Sequence, residues 1–79
     1  MDKNDARFIE IGLKIAYYRN LKQITQETLA EQVGISVGHL SHVESPSFVQ
    51  PVSFKTLFAI ADALDVAPYK FLLFDRDTP

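Results

Sequence analysis

Seventy-nine residues, of which 47% are hydrophobic and 23% charged, suit one small folded domain with a single core rather than two domains or a disordered chain. With no cysteine there are no disulfides and no thiolate metal site, and with no apolar run long enough to span a bilayer and no signal-peptide h-region the expected setting is the cytoplasm. Eight Lys and Arg against ten Asp and Glu give a net charge of −2 and a pI near 5.5, whereas a nucleic-acid binder is expected to be basic.

Helical periodicity runs along the chain. Phe8, Ile11, Ile15 and Tyr18 recur at helical spacing and predict a first helix over about residues 5–22, capped by Asn4 or Asp5. A second row on it, Ile9, Leu13 and Tyr17, is more apolar than a solvated face requires. Thr25 reads as the N-cap of a second helix, with Glu27 where the dipole favours negative charge and Leu29, Ala30 and Val33 turned inward. Gly34 suits the position after that helix, where a positive φ is cheap only for glycine. Ser36 caps a third helix, 37–44, with Leu40 and Val43 inward, and the two prolines between Ser45 and Val52 mark a loop. Ser53 caps a fourth helix, 54–64, with Phe54, Leu57, Phe58, Ala61 and Leu64 on one face. After a turn at residues 65–67, Pro68 opens a fifth short helix through Leu73, and residues 76–79 are expected to fray. The expected fold is all-α with five helices, one domain over residues 1–79, without strands or repeats.

Residues 26–45 hold the most specific geometry. Two short helices meet at a tight turn around Gly34, Ile35 and Ser36, and Ala30 is small where they cross. This is the helix-turn-helix pattern, whose second helix enters the major groove. Here the sequence resembles a known family. IGLKIAYYRNLKQITQETLAEQVGISVGHLSHVE, followed by SFKTLFAIADALDV, is similar to the Cro/C1-type (XRE) class of phage-repressor-like helix-turn-helix domains from about Ile11 to Leu73. The most specific stretches are TQETLAEQVGIS, LSHVE and ALDV. The resemblance implies a transcriptional regulator that binds double-stranded operator DNA as a two-fold dimer. It also implies an inward ion pair between Arg19 and Glu44, since a partly buried charge without a partner is costly. It matches Gln26 to a glutamine that contacts phosphate.

The candidate DNA-binding residues are Thr25 and Gln26 at the start of the second helix and Ser36, Val37, Gly38, His39, Ser41 and His42 on the third. A helix N-terminus offers free N–H groups and a positive dipole end to phosphate. Val37 suits a thymine methyl, Ser41 a base or phosphate, and His42 a guanine or phosphate. Gly38 lets the backbone approach closely but weakens the helix by about 1 kcal/mol relative to Ala. The plainer reading of His39 and His42 is two surface imidazoles; with no third ligand nearby they do not make a metal site. If either lies against phosphate, the anion favours its protonated form, and DNA affinity should rise as pH falls through the histidine range.

One departure from the family pattern stands out. Between Gln23 and Phe54 there is no Lys or Arg, although relatives often carry cations in the loop after the third helix, and no glycine follows Glu44. Lys22 and Lys55 flank the span as candidate phosphate contacts. Non-specific affinity comes largely from such cations, so modest affinity per monomer and reliance on dimerisation are expected. Nine aromatics are many for so small a domain. Phe54 and Phe58 are assigned to the core; Phe48, Val49 and Phe74 are candidates for a dimer interface built from the C-terminal region. The alternative function is a protein-interaction module on the same fold. Neither an enzyme nor a cofactor nor a small-molecule effector domain is expected.

Overall fold

In a computed structural model, which describes residues 2–74, the chain folds as α1 (Lys3–Leu21), α2 (Gln26–Val33), α3 (Val37–Glu44) and α4 (Phe54–Leu64), closed by a 3-10 helix at Pro68–Leu72. The fold is thus all-helical among the described residues, but with four α-helices rather than five. The last element is a five-residue 3-10 helix begun by Pro68, the tighter form that short helical pieces commonly take. The expected fraying of residues 76–79 lies outside the described residues.

Each α-helix starts on a side chain that accepts an otherwise orphaned N–H. Thr25 accepts from Thr28 N at 3.0 Å, Ser36 from His39 N at 3.0 Å and Ser53 from Thr56 N at 3.1 Å. The first helix begins earlier than its apolar stripe suggests. Its cap is neither Asn4 nor Asp5 but Asp2, whose carboxylate accepts from Asp5 N at 2.9 Å. Gly34 ends α2 at φ 79, and its N–H and that of Ile35 both donate to the Ala30 carbonyl. Two further left-handed residues, Gln23 after α1 and Asp65 after α4, do the same work without being glycine.

The core gathers Ile11 and Ile15 of α1, Leu29 and Ala30 of α2, Leu40 and Val43 of α3, Leu57, Ile60, Ala61 and Leu64 of α4, and Phe71. α3 packs on both α1 and α2, while α2 also rests on α4. The buried face of α4 is rotated from the one expected: Ile60 is fully buried, whereas Phe54 and Phe58 are 65% and 48% exposed. These two rings stack on each other outside the core, with centroids 5.8 Å apart. Gly12 lets α1 and α3 approach closely, because a Cβ there would overlap the carbonyl oxygen of Val43.

Candidate nucleic-acid interface

α3 has one face committed to the core and the other open. Leu40 and Val43 are buried; Ser36, Val37, Gly38, Ser41 and His42 are exposed, and His39 is half-buried. Residues one turn apart on a helix share a face, so Gly38, Ser41 and His42 form a continuous strip behind the Ser36–Val37 entry. α2 presents its N-terminus, with Thr25 exposed and Gln26 half-buried, beside the far end of α3.

What holds α3 in place is a charged cluster at its C-terminal end. Glu44 is 7% exposed. Arg19, from the last turn of α1, meets it with two parallel N–H donors: Nε to Oε2 at 2.8 Å and a terminal nitrogen to Oε1 at 2.9 Å. A third guanidinium N–H reaches the Ile24 carbonyl at 2.8 Å. The Gln26 amide donates to Glu44 Oε1 at 2.9 Å. One carboxylate therefore ties the end of α1, the start of α2 and the end of α3 together. A fork-shaped guanidinium suits this role because its geometry is fixed in the plane of the carboxylate.

The remaining candidates are spread more widely. Lys22 donates to the Ala63 carbonyl at 2.8 Å, and so closes the last turn of α4. Lys55 is exposed on the first turn of α4. Phe48 is 49% exposed and neither joins the core nor stands alone: its ring stacks on His42, with centroids 4.3 Å apart and planes at 20°. Val49 is 42% exposed. Phe74 packs partly against the core, with the Lys14 ammonium 5.5 Å from its ring centroid. Sequence reasoning missed the exposed Phe54–Phe58 pair; of the two, Phe54 lines an open groove of about 420 Å³ together with Phe8, Ile11, Val52 and Leu72. Among the described residues no three His, Cys, Asp or Glu side chains gather as metal ligands would.

A family model described as helix-turn-helix matches residues 15–71. Among solved structures, the restriction-modification controller protein C.AhdI from Aeromonas hydrophila superposes with a TM-score of 0.79 at 27% identity, over 89% of this chain and 99% of that one. The N-terminal DNA binding domain of SinR from Bacillus subtilis does so with a TM-score of 0.72 at 30% identity, over 85% and 96%. No curated protein sequence matches the chain.

Proposed function

The chain belongs to the Cro/C1-type (XRE) helix-turn-helix family, and on that premise we propose that it is a transcription regulator that binds operator DNA as a homodimer and reads it with α3. The observation that carries this reading is the two-faced recognition helix. Leu40, Val43 and the Glu44 cluster fasten one side, and the side bearing Val37, Gly38, Ser41 and His42 is left open. The names of two similar structures, a controller protein and a DNA binding domain, support the same role.

In this reading the first turns of α2 and α3 take phosphates on their free N–H groups, helped by Thr25 and Ser36. Gln26 spends one amide hydrogen on Glu44; the other is left for a phosphate, so the ion-pair cluster also orients this contact. Val37, His39, Ser41 and His42 face base edges or backbone. Lys55 supplies a cation from α4, while Lys22 must share its ammonium with the Ala63 carbonyl. The second copy covers exposed apolar surface of α4, with Phe54 and Phe58 at its centre and Val49 and Phe74 at its margin. No described helix is long and apolar enough to cross a membrane, in keeping with action on the nucleoid in the cytoplasm.

A protein-interaction role is the second reading, favoured by the lack of Lys and Arg between Gln23 and Phe54 and by the exposed Phe54–Phe58 pair. Selection of bound fragments from a random DNA pool separates the two. Recovery of a palindrome whose half-sites lie about ten base pairs apart supports the regulator; no enrichment even at low salt leaves the protein partner.

A further inference from the structure

We propose that Phe48 is a positioning residue for base recognition: stacked on His42, it fixes the imidazole in the orientation with which α3 reads its operator. The inference rests on the DNA-binding reading above and adds a residue that does not itself touch a base.

The local sequence builds this stack. The Ser45 N–H donates to the His42 carbonyl at 3.2 Å and closes α3. Pro46 follows with its φ already fixed, as the second position of a turn prefers. The Phe48 N–H then donates to the Ser45 carbonyl at 3.4 Å, and the Ser47 N–H to the Ser45 hydroxyl oxygen at 3.1 Å. The chain folds back on the end of α3 and lays the phenyl ring on the imidazole, 4.3 Å away and nearly parallel.

The geometry has a directional consequence. Stacking occupies a face of the imidazole and leaves its ring nitrogens, which lie in the plane, free to donate to or accept from a base edge. Helical side chains lean toward the turn before their own. One turn before His42 stands Gly38, around which nothing lies within 4 Å of where a Cβ would be. The imidazole is thus covered by Phe48 and unobstructed by a side chain at Gly38. An exposed histidine free to rotate would lose that freedom on reaching a base; one already held loses less, and the difference appears as discrimination between bases. Phe48 is 49% exposed and lies outside the core, so core packing does not account for its placement, and the turn that delivers it is short.

The test compares DNA selection by the wild-type chain and by the variants Phe48→Leu, Phe48→Tyr and His42→Ala. Leucine keeps apolar bulk but removes the ring; tyrosine keeps the ring. The wild type should show a base preference at one position of each half-site that His42→Ala erases. Phe48→Leu should flatten preference at that same position by about two- to tenfold, leave the other positions unchanged and keep the thermal unfolding midpoint, while Phe48→Tyr restores the wild-type pattern. In the free protein, ring-current shifts of the His42 proton resonances should disappear in Phe48→Leu and persist in Phe48→Tyr. An unchanged preference in Phe48→Leu, or a loss of affinity equal for all sequences, overturns this inference alone. A wild-type chain that enriches no sequence overturns the DNA-binding reading and this inference with it.

Discussion

Gly12 is buried where α1 crosses α3, with the Val43 carbonyl oxygen in the space a side chain would need. Val43 is core and its carbonyl belongs to the last turn of α3, so neither can yield without moving that helix. Gly12→Ala is expected to destabilise the domain by about 1–3 kcal/mol, despite alanine's better helix propensity. For a chain of this size each kcal/mol lowers Tm by roughly 4–8 °C; an unchanged Tm on thermal denaturation would show that the helices can part without strain. Arg19 and Glu44 make a second prediction at this scale. Breaking one partner of a buried pair costs about 3–5 kcal/mol because the other charge is stranded. Arg19→Met and Glu44→Leu should each be severe in urea titration, and the double variant should recover part of the loss; strictly additive losses would mean the two charges do not depend on each other. The two features differed in legibility. Arg19 and Glu44 are charged residues within matching family stretches, so the resemblance exposed them. Gly12 sits inside a good helical pattern, and only the approach of a chain segment some thirty residues away gives it meaning.

At the scale of elements, the starts of α2, α3 and α4 were legible because capping is local chemistry: Thr25, Ser36 and Ser53 each bond an N–H three residues on. α1 escaped by a few residues because Asp2 lies before any apolar residue of its stripe. α4 was legible as a helix but not in its rotation. Phe54, Leu57, Phe58, Ala61 and Leu64 and the observed Leu57, Ile60, Ala61 and Leu64 are both acceptable helical stripes. Packing against α2 and the 3-10 turn selects the second and leaves the two phenylalanines outside. In α3 the informative residue is Gly38. Its surroundings are open, and nothing in the fold forbids a methyl group there. Gly38→Ala should therefore stabilise the free domain by about 0.5–1 kcal/mol through helix propensity. If the bare backbone serves close approach to DNA, the same change weakens operator binding. Chemical denaturation and a binding titration on one variant check both halves, and improved stability with undiminished affinity would remove Gly38 from the interface.

For the whole molecule, charge and apolar surface together decide how DNA binding must work. The net charge of −2 does not describe the face that matters. α3 carries no formal charge before Glu44, and Glu44 is neutralised within its cluster by Arg19. Lys14 lies over Phe74 and Lys22 on the end of α4, so neither forms a free cationic rim. In the proposed complex phosphates would then be met chiefly by helix N-termini, hydroxyls and amides, which position a protein without releasing counterions in the way Lys and Arg do. In the proposed regulator affinity would come from pairing two copies, and the stacked Phe54–Phe58 surface is one exposed apolar area on offer for it. Phe58→Asp should therefore shift sedimentation toward monomer and weaken binding to a palindrome far more than binding to one half-site. The salt response follows from the same balance. The slope of log affinity against log salt is about −0.9 for each phosphate neutralised. With Lys55 and a shared Lys22 as the candidate phosphate contacts, the proposed dimer would neutralise about two to four phosphates, giving a slope of about −2 to −4. Binding isotherms on the selected operator between low and moderate salt measure it directly. A steep slope, near that of a protein with many phosphate contacts, would mean that cations far from α3 in sequence are brought to the DNA, and that the neutral recognition face is not what sets affinity.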